Sequence, residues 1–487
     1  MNFHLLSTVR RYLAPAGWLV LALSCPSSAT AETFTGAIPD ESMRFSAVTG
    51  IEAKGNLTLR DALRLVLQQN SELASFDKEI RALEGATLQA GLLRNPDLSV
   101  NVDNVGNMGT GNGQRVGAPP GTTIKENVEQ QDLIIRISQL IELGGKRAAR
   151  VNAASLGREL AVKDYEAKRL EIIARAANAF IEVLAGQEQL QLAEESQRLA
   201  QRVVDAVKRR VEAGKVPPIE ETKVGVAFST TRIALVQAQR ELEAARKRLA
   251  LLWGQPSPAF AKALGNLESL IATPNFEALV ERVLSSPMAD RARKGIEHRR
   301  ALLEVEETRR VPNITIAGGM IKHWESGGTT GVVGIAMPLQ LFDRNQGNLR
   351  EANQRLNKAL DEQAATDLRL KTELVQAYEA LSAAQNEITI LRNEVLPAAT
   401  SSFEVTNKGY ELGKFSFLEV LDAQRTLFQN RILYMRALSN YHRLVNEIER
   451  LTAAPISLDE SSDEDDPAKQ SVNDNGGTGL RRAGDEE

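Results

Sequence analysis

The chain has 487 residues, enough for three ordinary domains, yet aromatics are only 5% while Ala, Leu, Glu, Gln and Arg crowd the long segments; that is the usage of extended helices packed side by side, not of a compact enzyme core. Its net charge of −4 conceals a tail from Pro455 to Glu487 with ten acidic and three basic residues, so that without tail and leader the body carries about +1. Cys25 is the only cysteine, which excludes disulfides, thiolate metal sites and thiol redox chemistry.

Residues 1–31 read as a secretory signal: Arg10 and Arg11 are the charged region, Trp18 to Leu23 the apolar one, and Ala29-Thr30-Ala31 the cleavage site. Cys25 offers a lipid-bearing N-terminus instead, although Ala22-Leu23-Ser24 before it misplaces the apolar branched residue. An extension, 32–56, leads to a first repeat over 57–254. Thr58 and Asp61 open a helix expected from Leu59 to about Leu93, which Asn95-Pro96 stops. Leu98, Val100 and Val102 then alternate with polar residues, predicting a strand over about 97–105. A Gly-rich loop, Gly106 to Thr123, joins two strands with no helix or basic anchor after it, so it is an exposed loop and not a phosphate cradle. A second strand is expected over about 132–141 and a long helix over about 147–212; Gly214, Pro217 and Pro218 make a turn, and a last helix runs from Ile219 to Leu252.

After an equatorial linker, 255–273, the order recurs over 274–453. A helix is expected from Phe276 to Arg310, strands over about 313–322 and 331–341, a long helix over about 345–410 that Pro397 should kink or break, and a final helix from Phe417 to Leu451. Residues 454–487, rich in Ser, Asp, Asn and Gly, form an acidic tail expected to be disordered. The duplication is explicit. Glu212-Ala213-Gly214-Lys215 and Glu220 meet Glu411-Leu412-Gly413-Lys414 and Glu419 at an offset of 199, and Ala177, Phe180, Ile181, Leu184 meet Leu374, Ala377, Tyr378, Leu381 at 197, with the spacing of one buried helix face.

Lengths then dictate an architecture. Each central helix of about 65 residues spans roughly 100 Å, and the two flanking helices of about 35 residues together match it, so they should meet end to end at mid-height with the linker and tail forming a belt outside. No later stretch approaches the ~20 apolar residues of a membrane-spanning helix. Four strands cannot close a membrane barrel, and open edges in lipid leave backbone groups unsatisfied. A trimer with a twelve-stranded barrel leaves room for an aqueous lumen. The fold class is therefore mainly α with a small transmembrane β-barrel contribution, each chain a duplicated helix-strand-strand-helix-helix unit, continued by a helical periplasmic tunnel.

Asn101, Asp103, Arg136 and Ser138 alternate with apolar positions and are expected to face the barrel lumen. At the far turns, Glu220, Glu221, Glu419 and Asp422 are the candidates for a periplasmic gate. Glu419 and Asp422, three apart, share a helix face, and three copies could ring a narrow opening. His298, His323 and His442 lie in no metal-ligand spacing, and no Ser-His-Asp or Cys-His arrangement has supporting context. No catalytic residue, cofactor, resident metal or nucleic-acid partner is expected.

Leu421-Asp422-Ala423-Gln424-Arg425 after Tyr410-Glu411-Leu412-Gly413-Lys414, with the duplicated strand-and-helix order, resembles the outer membrane factor family typified by TolC over roughly residues 57–452. Ile141-Glu142-Leu143-Gly144-Gly145-Lys146-Arg147 and Leu341-Phe342-Asp343-Arg344-Asn345-Gln346-Gly347 resemble the branch found in cobalt-zinc-cadmium resistance systems. The resemblance implies a homotrimeric outer-membrane duct of a Gram-negative bacterium, docked on a periplasmic adaptor and an inner-membrane proton-driven pump and exporting divalent heavy metals. It makes Glu419 and Asp422 entrance carboxylates, and Gly214, Lys215, Gly413 and Lys414 the adaptor-contacting tip. Pro217-Pro218 depart from the family's tip turn. A duct of the same family for drugs or secreted protein, and a soluble helical adaptor, are the competing readings.

Overall fold

A computed structural model of the protein describes residues 55–103, 132–271, 275–324 and 327–454. The leader with Cys25, most of the extension, the Gly-rich loop and the acidic tail lie outside the described residues.

The flanking helix expected from Leu59 to Leu93 is two helices, α1 (Leu59–Gln69) and α2 (Ser71–Gly91). Asn70 makes the break. Its backbone is extended, its N–H still donates to the Val66 carbonyl, and its Oδ1 accepts the Leu73 N–H at 3.1 Å, so one residue ends one helix and caps the next. Repeat two breaks at the corresponding place into α5 (Phe276–Leu284) and α6 (Pro287–Thr308). There Pro287 lacks an N–H and holds Ser286 out of helical backbone.

The first central helix, α3 (Lys146–Glu212), is continuous over 67 residues. Its counterpart runs as α7 (Gln346–Ile390), a π-helical turn (Leu391–Val395) and α8 (Leu396–Glu411). Pro397 removes a donor from the ladder, and the wider turn just upstream absorbs the loss, so the helix is locally rewound and not broken. The remaining long helices are α4 (Ile219–Leu251) and α9 (Phe417–Thr452).

These helices form four columns. α3 packs against α2 and α4 on one side and α6 and α9 on the other, and α7 packs against α6 and α9. Stacked helices meet end to end: Asn70 Nδ2 donates to the Leu252 carbonyl at the end of α4 at 2.9 Å, and Arg450 of α9 reaches Met288 of α6. The outer columns are α2 over α4 at one side and α7 leading into α8 at the other.

At the junction of the stacks a short sheet pairs β1 (Gly55–Thr58) in parallel with β4 (Phe260–Leu264) from the equatorial linker. Gln187 of α3 grips Ala263 through both its carbonyl and N–H, Arg246 of α4 donates to the Phe260 carbonyl, and the Tyr441 hydroxyl of α9 bonds both the N–H and the carbonyl of Ile271. Beneath lies the main core, with Trp253, Phe260, Leu279, Leu438 and the repeated stripe Ala177, Phe180, Ile181, Leu184 and Leu374, Ala377, Leu381 all buried.

A second, antiparallel sheet has the order β2 (Asp97–Asp103), β3 (Asp132–Ile141), β5 (Ile314–His323), β6 (Thr329–Ala336). β6 ends at Ala336 and not near 341, because Pro338 cannot donate to a ladder. Both edge strands, β2 and β6, have one side without a strand partner among the described residues.

Candidate functional site

Two surfaces carry the functional argument: the faces of the four-stranded sheet and the paired tips at the far end of the helices. In the sheet the register places Leu98, Ile137, Gly318 and Val333 in one row and Val100, Ile135, Met320 and Gly331 in the next, on one face. Val333 is 84% and Ile335 74% exposed there, side chains that water would not favour and lipid would. The other face carries Ser99, Asn101 and Asp103 of β2 beside Asp132, Arg136 and Ser138 of β3, and then Thr315, Ala317 and Gly319 of β5. At its end His323 Nδ1 lies 2.7 Å from Asp132 Oδ1 and its Nε2 3.2 Å from the Thr330 hydroxyl. Asn101, Asp103, Arg136 and Ser138 thus share the polar face. Gly319 permits the close approach of β3, since a Cβ would stand 2.4 Å from the Ile135 carbonyl oxygen.

The tips repeat one turn twice. Gly214 and Gly413 adopt φ of +69° and +74°, and the following N–H groups of Lys215 and Lys414 bond back to the carbonyls of Arg210 and Gly409, each at 2.8 Å. Glycine is required because the left-handed conformation strains any Cβ. The entry to α9 is a capping box: Ser416 Oγ accepts the Glu419 N–H, and the Glu419 carboxylate accepts the Ser416 N–H at 2.6 Å. Those bonds, the backbone one first, hold the Glu419 carboxyl below its ordinary range. Glu220 is half-buried and pairs with Lys223 at 3.1 Å, while Glu221 and Asp422 are exposed. Pro218 occupies the N-cap of α4, where its missing N–H costs nothing.

Between the tips is a cavity of about 570 Å³ that brings Lys215, Glu220 and Gly413 together with Arg210, Tyr410 and Phe415. Glu221, Glu419, Asp422, Gly214 and Lys414 do not line it. Val207, Val224 and Phe417 form a small core beside it, with Tyr410 and Leu421 packed on. Arg210 donates to the Tyr410 carbonyl at 3.2 Å and lies over its ring, and that ring meets Phe417 edge-on. Sequence reasoning missed Arg210, Tyr410 and Phe415; the Arg210–Tyr410 contact joins segments 200 residues apart.

The sequence model described as outer membrane efflux protein matches residues 62–255 and 284–454. The cobalt-zinc-cadmium resistance protein CzcC of Cupriavidus metallidurans is 37% identical over 443 residues, covering 91% of this chain and 99% of that one. The nickel-cobalt-cadmium resistance protein NccC of Alcaligenes xylosoxydans xylosoxydans is 26% identical over 309 residues, 63% of this chain and 65% of its own. Among solved structures, the outer membrane protein VceC of Vibrio cholerae superposes with a TM-score of 0.65 at 19% identity, over 82% of this chain and 96% of that one. A sheet with a lipid-compatible and a polar face, duplicated helical columns and these matches lead to one assignment: the chain belongs to the outer membrane efflux protein family.

Proposed function

We propose that this chain is the outer-membrane duct of a divalent heavy-metal efflux system, of the cobalt, zinc, cadmium and nickel class, in which three copies close a twelve-stranded barrel. The observation that carries it is the four-stranded sheet with two open edges, exposed Val and Ile on one face and Asn101, Asp103, Arg136 and Ser138 on the other. In lipid, β2 and β6 need strand partners, and pairing β6 of one copy with β2 of the next satisfies both in a head-to-tail ring. The same operation sets α7 and α8 of one copy against α2 and α4 of its neighbour. Family membership sets aside the soluble helical adaptor.

Cargo is inferred from the relatives named for metal resistance. Solute would pass down its gradient through a water-filled lumen, delivered by a periplasmic adaptor and an inner-membrane proton-driven pump, with no chemistry in the duct. Gly214, Lys215, Gly413 and Lys414 present the adaptor-contacting turns. Of the gate candidates, Glu419 is committed to its cap and Glu220 to Lys223, which leaves Glu221 and Asp422 as the carboxylates free to line the entrance. Deleting the gene and measuring resistance to cobalt, zinc, cadmium and nickel beside a dye panel tests the cargo. Loss of metal resistance alone is expected; loss of dye resistance alone would make it a drug duct of the same family.

A further inference from the structure

A groove of about 480 Å³ with a mixed polar and apolar lining lies at mid-height with α3 as its floor and α4 and α9 as its walls, apart from both the tips and the sheet. Its charged lining is Glu182, Glu241, Arg248, Arg436 and Arg443, three cations against two anions. Glu182 is shared by Arg248 at 2.9 Å and Arg443 at 3.9 Å, and Glu241 accepts a bond from Gln189. Arg436 has no ion pair or hydrogen bond among the described residues. Beside it Ser439, a lining residue, is 6% exposed, and its buried hydroxyl has no hydrogen-bond partner among the described residues.

The face on which the groove opens follows from helix geometry. Gln187, Arg246 and Tyr441 hold the belt sheet and linker. Glu182 and Gln189, Glu241 and Arg248, and Arg436 and Arg443 stand two or five residues from them on the same helices, which at ~100° per residue is the opposite side of each. In a closed ring the belts must lie outside, since three of them within would fill the lumen, so the groove faces inward. Its floor and one wall, α3 and α9, are inner columns of a single chain, and only the α4 wall belongs to an outer column.

We infer that this groove is a lumenal site for a small anion bearing carboxylate or oxyanion oxygens, held by the forks of Arg436 and Arg443 with the Ser439 hydroxyl donating. Its lumenal position rests on the duct reading; the binding itself does not. Cation ligation is disfavoured there because both glutamates already have partners and guanidinium charge is in excess. An empty groove presents excess positive charge to cations passing at mid-height, and an occupied one removes that barrier.

The test is calorimetry on the purified full-length protein in detergent, with citrate and sulfate as metal-free probes. Saturable binding is expected, weakened roughly tenfold or more in Arg436→Gln/Arg443→Gln and restored in part by Arg436→Lys. Ser439→Ala should weaken it less. No saturable binding, or equal binding by the double variant with an unchanged thermal midpoint, overturns the site. In planar bilayers, sulfate added to chloride should raise potassium conductance through the wild type and leave the double variant unmoved; pores indifferent to sulfate count against the site. Material that binds citrate but forms no pore would leave the site standing and remove the duct.

Discussion

The Arg210 guanidinium carbon lies 4.2 Å from the centroid of the Tyr410 ring, and Nη2 of the same side chain donates to the Tyr410 carbonyl at 3.2 Å. One side chain thus fastens the tip of the first helical hairpin to that of the second. No other hydrogen bond or ring contact between side chains of the two tips appears among the described residues, so an opening that splays them must break it.

Arg210→Ala should therefore favour the splayed state. A cation–π contact at an exposed site contributes about 0.5–1 kcal/mol and a hydrogen bond from a charged donor about 1.5–3 kcal/mol, so the shift is on the order of tenfold in population or more. Single-channel conductance in planar bilayers should rise, and Tyr410→Leu, which keeps the carbonyl, should give a smaller rise. Unchanged conductance in both would show that the tips are held elsewhere.

Asn70→Ala removes a cap and a bond that crosses from one stacked helix to the other. Loss of an N-cap costs about 1 kcal/mol, and leaving the Leu252 carbonyl short of its donor a further 1–3 kcal/mol or so, because the site is buried. A lowered thermal midpoint is expected, with Asn70→Asp only partly better since it caps α2 but cannot donate. Asn407→Ala, on the partly exposed surface of α8, should change the midpoint little.

What could be read in advance and what could not divides by range. The buried stripes around Phe180 and Leu374, the tip glycines and the alternation of Asn101 and Arg136 with apolar neighbours are local periodicities, and each is visible in a window of a few residues. Asn70 is different: it lies within a polar run, Gln68 to Glu72, that a solvated helix face would also show, and its side-chain bond to the Leu252 carbonyl comes from 182 residues away. The break at Ser286 did carry a local mark, Pro287. Glu419 carried one too, the Ser416-x-x-Glu419 spacing of a capping box. The pairing of β1 with β4 and the meeting of Arg210 with Tyr410 join residues some 200 apart, and nothing near either partner announces them.

The two faces of the sheet make opposite forecasts for neighbouring residues. Val333→Arg puts a guanidinium on the face of Ile137 and Gly318, where a charge facing lipid near the bilayer midplane costs about 2–4 kcal/mol. Val332→Arg puts it on the face of Arg136 and Gly319. Assembly in the outer membrane, followed as detergent-resistant trimers on a gel, should fall for the first. For the second it should persist, with conductance changed. Equal loss in both would mean the sheet does not separate lipid from water.

Acid should soften the belt and the tip in different windows. Burial holds His442 below the ordinary imidazole range, against the opposing pull of its bond to the Leu267 carbonyl. The unfolded chain therefore takes up that proton first, and stability is lost as pH falls below about 6.5 until the folded value is reached. Glu419 has the other sign: its depressed carboxyl contributes stability that is complete above about 4.3 and is lost as pH falls through its lower folded value. His298, also depressed by burial, adds to the first window in any global measurement, so the readout must be local. Hydrogen-exchange protection, corrected for intrinsic rates, should fall between pH 7 and 5 in a peptide spanning 265–271 while one spanning 412–420 holds until about pH 4. His442→Gln should flatten the first profile and Glu419→Gln, which still accepts the Ser416 N–H, the second. A belt whose protection is level across the first window would mean that His442 enters the folded state already open to water.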